Sequence, residues 1–268
     1  MNKLKPKEKK DIRKAADLLF NSKFAIVLTG AGISTESGIP DFRGPDGIWK
    51  KYKPEIYGSF QAFLTDPSKF WKMAEKIAPT LFNAKPNPGH YAIAELERLN
   101  IIKAVITQNV DELHQKAGNV IVYEVHGSIN RFTCLGCRAS YTKEQIMRKL
   151  KKEKKGTPGC NYCGAPLKPS AVLFGEALPN FEKYMSIDLA KKAEVMLIAG
   201  SSLSVAPICD LPLYTLSKGG KLIIVNDEPT DLDERAQVVI NNKTGIVLPL
   251  IVEEIKKIII ENESHIKN

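Results

Sequence analysis

Five short apolar runs, each followed by small or polar residues, set the rhythm of this chain. They are Phe24–Leu28, Ala104–Ile106, Val120–Val125, Val195–Ala199 and Leu222–Val225. Such near-continuous hydrophobic runs suit parallel strands covered on both faces. Apolar positions at helical spacing predict a helix around residues 7–20, another over His90–Leu99 and a closing one over Leu250–Glu261. Strands alternating with helices indicate an α/β chain with a doubly wound parallel sheet. The runs end in Gly30-Ala31-Gly32-Ile33-Ser34, Thr107-Gln108-Asn109-Val110-Asp111, His126-Gly127, Gly200-Ser201-Ser202 and Asn226-Asp227. Ligands bind at the carboxyl ends of strands in open parallel sheets. One polar loop means little, but five at one edge favour a binding site there.

Two stretches break the rhythm. Residues 44–85 lack strand signals and look helical, and residues 128–170 hold four of the five cysteines. Both are expected to be insertions that together form a small domain. The larger domain is then discontinuous, built from 1–43, 86–127 and 171–268, and 268 residues have room for both. The longest uncharged stretch, Val195 to Cys209, is interrupted by glycine, serine and proline, so no membrane partner is expected. The charged N-terminus lacks the apolar centre of a signal peptide, and a cytoplasmic location is the default expectation.

The net charge of +9 changes the picture only once it is located. Residues 1–20 carry +4, residues 143–155 carry +5 and the remainder sums to zero. Two helices with solvated lysine faces explain this. Attraction to acidic protein tails, DNA or phosphate is the alternative.

Three groups of residues carry candidate chemistry. Gly30-Ala31-Gly32 directly follows a strand, where glycines let the backbone approach a pyrophosphate. As a dinucleotide fingerprint it is imperfect, because Thr35 stands where a third glycine would fall. Cys134-x-x-Cys137 and Cys160-x-x-Cys163, separated by 22 residues, match a Cys₄ zinc site. Four thiolates complete a tetrahedron, so the zinc would be structural, with no position left for substrate. Among the histidines, His126 ends a strand on the expected ligand edge. It is the best-placed general base, with a packed histidine as the competing reading. His90 and His114 admit plain structural roles.

Taken together, these residues resemble the sirtuins. Gly30-Ala31-Gly32-Ile33-Ser34 running into Gly38-Ile39-Pro40-Asp41-Phe42-Arg43 is similar to the family's first signature. Thr107 to Asp111 with Leu113-His114 is similar to its second. Val125-His126-Gly127, the cysteine pairs, Phe174-Gly175-Glu176, Gly200-Ser201-Ser202 and Val225-Asn226 follow in the family's order, over residues 10 to 255.

The resemblance implies a Rossmann-like fold, NAD as a consumed co-substrate and lysine deacetylation. It implies that Gly30, Ala31, Gly32 and Thr35 approach the phosphates and ribose, with Asp41, Phe42 and Arg43 in a loop closing over NAD. Gln108 would meet the nicotinamide ribose. Asn109 and Asp111 would line the nicotinamide pocket, with Val110 in place of the family's usual isoleucine. Gly200, Ser201, Ser202, Asn226, Asp227 and Thr244 would serve the adenosine half. Asn109 and His126 would be the catalytic residues. In the family the acyl oxygen attacks C1′ of the NAD ribose, nicotinamide departs, and a ribose hydroxyl then attacks with the histidine as base. Products would be free lysine, nicotinamide and O-acetyl-ADP-ribose. The partner would be an acetyl-lysine protein or peptide, lying between the strand Val172–Glu176 (Val172, Phe174, Gly175, Glu176) and the loop carrying Val205. The enzyme is expected to be a monomer.

The family branch that removes acidic acyl groups carries a Tyr-x-x-Arg pair. Here the matching positions are Ala74 and Ile77, which predicts a preference for neutral acyl groups, with Lys72 and Lys76 as cations that could offset it. Rival readings are a dehydrogenase, a zinc-ribbon binder of nucleic acid or chromatin, and mono-ADP-ribosyl transfer to protein.

Overall fold

A computed structural model describes residues 5–42, 44, 47–152 and 156–266. Helix α1 (Pro6–Phe20) leads into β1 (Ala25–Thr29). A 3₁₀ turn, Ala31–Ser37, precedes four helices: α2 (Ile48–Lys51), α3 (Pro54–Tyr57), α4 (Phe60–Thr65) and α5 (Pro67–Asn83). Then come α6 (Pro88–Arg98), β2 (Ile102–Thr107), α7 (Leu113–Ala117) and β3 (Val122–Glu124). The cysteine module contributes β4 (Arg131–Cys134), β5 (Ser140–Thr142), α8 (Lys143–Lys152) and β6 (Leu167–Pro169). The chain returns through α9 (Asn180–Lys192), β7 (Val195–Ala199), α10 (Leu211–Ser217), β8 (Lys221–Val225), β9 (Val238–Ile240) and α11 (Thr244–Ile266). None of the described helices is long and apolar enough to cross a membrane.

The large sheet has the order β3-β2-β1-β7-β8-β9 with every pairing parallel. This is the doubly wound Rossmann-like order, and the direction of winding reverses between β1 and β7. Both strands are fully buried, as their uninterrupted apolar sequences require. One face is covered by α1, α6 and α11 through Ile12, Leu19, Ile93, Leu96, Ile251 and Ile255. The other is covered by α9 and α10 through Leu189 and Leu211 packed on Met196 and Ile198.

Three expectations change. A sixth strand, β9, was not foreseen, because three residues are too short to show a period. The run Val120–Val125 shrinks to Val122–Glu124; Val120 is 85% exposed, and the Glu97 carboxylate takes its N–H and that of Ile121. Residues 172–176 form no strand. They make a single bridge, Ser59 with Phe174, because Gly175 turns the chain away at φ +87°.

In the small domain β4 pairs antiparallel with β5 and β6. The two insertions share one core: Phe63 and Trp71 of the helical module meet Phe132, Tyr141, Ile146 and Leu167 of the cysteine module. Trp71 stacks on Phe132 and its indole N–H donates to the Leu167 carbonyl at 3.2 Å.

Candidate functional site

The turns leaving β1 and β7 press backbone against backbone at the reversal point. The Gly32 N–H donates to the Gly200 carbonyl at 2.8 Å. A Cβ on Gly32 would lie 2.8 Å from that oxygen, and one on Gly200, at φ +62°, would lie 2.2 Å from the Ile33 nitrogen. No side chain fits at either place, which explains the glycines without reference to a ligand. The consequence is a tight, open-topped turn over the sheet edge.

Beside it, β2 ends in Gln108. Its N–H donates to the Thr29 carbonyl at 3.0 Å, and its side-chain amide donates to Ser201 Oγ at 2.9 Å. Its carbonyl lies 3.0 Å from Nδ1 of His126. A carbonyl oxygen can only accept, so Nδ1 carries the hydrogen and Nε2 is left bare. Burial holds this imidazole below its usual pKa range. At neutral pH His126 is therefore an uncharged base with its lone pair at Nε2.

Asn109 is fixed by its neighbours. Its Nδ2 donates to the Gly30 carbonyl and to Ser34 Oγ, both at 3.1 Å, and its backbone N–H donates to Thr107 Oγ1. Ser34 in turn donates to Asp111 at 2.7 Å. Burial raises the Asp111 carboxyl pKa, while the Leu113 N–H and Ser34 oppose it. Behind this chain lie His90 and His114, rings 5.0 Å apart, held neutral by burial down to about 4 and about 3. His114 Nε2 lies 2.9 Å from Thr29 Oγ1. The sequence singled out neither Thr29 nor the roles of Ser34, His90 and His114. Two of them carried a signal: Ser34 stands inside the glycine motif, and His114 belongs to the second motif, Thr107 to His114.

The expected cofactor and substrate residues border one cavity of about 1280 Å³, with two exceptions. Asp111 stands behind the wall and reaches it through Ser34, which in turn accepts from Asn109 in the lining. Arg43 lies outside the described residues. The volume exceeds the ordinary pocket range of roughly 300–1,000 Å³, as an extended, two-part ligand requires. Thr244 borders it with a buried Oγ1 that has no hydrogen-bond partner among the described residues. A buried hydroxyl is costly unless paired, so this atom fits the hydrogen-bonding edge of a bound dinucleotide.

Two branches leave the centre. Along one, Val172, Phe174 and Val205 form a groove, roofed by Phe42 stacked on Trp49 at 5.3 Å and by Trp49 against Phe174 at 5.7 Å. The other runs between α5 and α8, past Ala74, Ile77, Phe82, Ile146, Met147 and Leu150. Lys72 and Lys76 are exposed and do not border this branch; Lys143 and Lys151 do. The Lys143 ammonium lies 3.7 Å from the centre of the Phe82 ring.

The four cysteine sulfurs of the small domain all lie within 4.8 Å of one another. Two separations are 3.4 Å (Cys134 to Cys163) and 3.6 Å (Cys137 to Cys160). Tetrahedral zinc with bonds of roughly 2.3 Å puts its sulfurs about 3.8 Å apart. Backbone N–H groups of Gly136 and Cys137 point at Cys134, and that of Tyr162 at Cys160, as thiolate ligands require. The donor set fits one such ion.

Comparison with known proteins agrees with this arrangement. A model of the Sir2 family matches residues 30–207. A protein of Archaeoglobus fulgidus named NAD-dependent protein deacylase 2 is 49% identical over 249 residues, covering 92% of this chain and 97% of that one. An NAD-dependent protein deacetylase of Sulfurisphaera tokodaii is 45% identical over 243 residues, covering 91% and 95%. A solved Sir2 enzyme superposes with a TM-score of 0.88 at 47% identity, covering 93% of this chain and 99% of that one. A Sir2 protein holding a deacetylated p53 peptide and 3′-O-acetyl ADP ribose superposes at 0.87 with 40% identity, covering 91% and 98%.

Proposed function

This chain belongs to the Sir2 family, and from that premise we propose that it is an NAD-dependent protein lysine deacetylase. The observation that carries the reading is the His126–Gln108 contact inside a cavity shared by the glycine turns and the groove. When bound, NAD supplies the electrophilic ribose carbon and the leaving nicotinamide. The residues of the chain do the rest. Nε2 of His126 faces the centre as a neutral base and takes a proton there. Gln108 and Ser201 hold each other, and so hold the floor beneath that centre. Asn109 is oriented through Gly30 and Ser34. Phe42, Trp49 and Phe174 roof the acyl-lysine entry and exclude water.

We also propose one structural Zn²⁺ on Cys134, Cys137, Cys160 and Cys163. It supplies a rigid tetrahedral crosslink and takes no part in the reaction.

The test is mass spectrometry of an acetylated peptide incubated with and without NAD. NAD-dependent loss of acetyl, with nicotinamide and O-acetyl-ADP-ribose released, is the expected result. Growth of NADH absorbance in its place would indicate a dehydrogenase and end the proposal.

A further inference from the structure

Lys168 is a buried cation to which the deacetylase reading gives no role. It sits in β6 opposite Thr133 of β4, next to the Cys134–Leu167 pair. Only 9% of its side chain is exposed. Its ammonium donates to the Pro169 carbonyl at 2.8 Å and to the Ala171 carbonyl at 2.7 Å, and meets Glu176 Oε2 at 2.9 Å. An ammonium has three hydrogens, so all of them are engaged. The same Glu176 oxygen accepts the Leu173 N–H at 2.7 Å. One ion pair thus closes the chain over residues 169–176.

This closed segment is the groove wall. The Val172 N–H donates to the His126 carbonyl at 2.8 Å, and Phe174 exchanges hydrogen bonds with Gly58 and Phe60, each at 2.9 Å. Beyond that bridge no ladder orders it. A backbone that must present hydrogen-bonding groups to a peptide, yet lacks a ladder, needs another source of order. A desolvated ion pair with every hydrogen used provides one. Removing either partner leaves the other charge buried and unpaired.

We infer that Lys168 is a positioning residue. By clamping Pro169, Ala171 and Glu176 it holds the Val172–Phe174 wall in the shape that binds the acyl-lysine peptide, and it fastens that wall to the cysteine module. Glu176 serves the same wall twice, as the counter-charge of Lys168 and as the acceptor of the Leu173 N–H. The clamp touches neither the glycine turns nor Gln108 and Ser201, so its effect falls on peptide binding and leaves NAD binding alone. The inference rests on the deacetylase reading.

The test compares wild type, K168M, K168R and E176Q, each checked for zinc content and melting temperature. The peptide KM and kcat are read with an acetyl-lysine peptide at saturating NAD, and NAD affinity by calorimetry without peptide. K168M is expected to raise the peptide KM roughly 10- to 100-fold, as loss of a buried pair implies, with kcat and NAD affinity near wild type. K168R, which keeps a cation and several donors, is expected to recover most of that loss. A folded K168M with wild-type peptide KM overturns the inference, and so does a parallel fall in NAD and peptide affinity. If K168M does not fold, E176Q decides: it keeps the acceptor and loses the charge, and a several-fold rise in peptide KM is expected. An unchanged value there overturns the inference. Wild type inactive on the peptide would defeat the deacetylase reading itself, a distinguishable outcome.

Discussion

The two domains solve the same problem with different means. The large domain buries two apolar layers against a six-stranded parallel sheet, drawing on α1, α6 and α11 on one side and α9 and α10 on the other. The small domain contributes eight buried residues to its core cluster, two of them cysteines, and the groove wall adds Leu173. A core that small supplies little stability alone, so the zinc proposed on the four cysteines would contribute much of it. Charge divides the same way. Residues 44–85 and 128–170 hold 17 Lys/Arg against 6 Asp/Glu, while the rest of the chain holds 22 against 24. The dinucleotide turns stand on the larger core, whereas one wall of the groove is tied to the small domain with the cysteine cluster. Binding of NAD and binding of peptide should therefore fail separately.

The sharpest break in this comparison is removal of the metal. Chelation, or Cys137→Ser, is expected to abolish deacetylation and melt the small domain, because apparent zinc binding of about 10–16 kcal/mol is folding free energy in such modules. NAD binding to the large domain is expected to survive in calorimetry. A stripped protein with full activity and an unshifted melting curve would show that the small core is self-sufficient. His126→Ala tests the other side. It is expected to reduce turnover roughly 10²–10⁴-fold without lowering the melting temperature, since the ring is held mainly by one contact to Gln108.

A smaller effect concerns the branch between α5 and α8, within the small domain. Succinyl-lysine is expected to be removed about 100-fold more slowly than acetyl-lysine. Ala74 and Ile77 offer no partner to a carboxylate, and desolvating it uncompensated costs about 3 kcal/mol. Lys143 and Lys151 at the α8 side are the groups that could reverse this. Equal kcat/KM on paired peptides would show that they do, and Lys143→Ala would then separate the substrates. The smallest expected effect is that of pH. The base must be neutral to act, and burial depresses the His126 pKa. Activity is thus present above that pKa and lost as pH falls through it. Between pH 8 and 7 kcat/KM through this group should change less than about twofold, with the fall beginning below the usual imidazole range. An inflection above 7 that vanishes in no other variant would contradict the burial of the ring.

Much of this was legible beforehand. The strands that became β1, β2, β7 and β8 announced themselves as apolar runs, because strands buried on both faces leave no polar position to blur the signal. The cysteine spacing and the glycines were equally plain. The groove wall was not. Val172-Leu173-Phe174 reads as a strand, and only the turn at Gly175 together with the Lys168–Glu176 clamp shows how it is held instead. A lysine beside Pro169 looks like any surface lysine until its burial is known. Lys143 and Lys151, expected to belong to a solvated face, border the cavity because α8 packs toward α5.

The sequence by itself determined where β1, β2, β7 and β8 lie, the Cys₄ set and the family, since each depends on residue type and short-range spacing. The tertiary structure alone decided which nitrogen of His126 is bare, that Asp111 acts from behind Ser34, and that Lys168 faces inward. Those properties arise from partners and burial: Gln108 meets His126 across 18 residues of chain and Ser201 across 93. A hydrogen bond between distant residues leaves no pattern in either local segment, so it becomes visible only when the sheet brings the strand ends together.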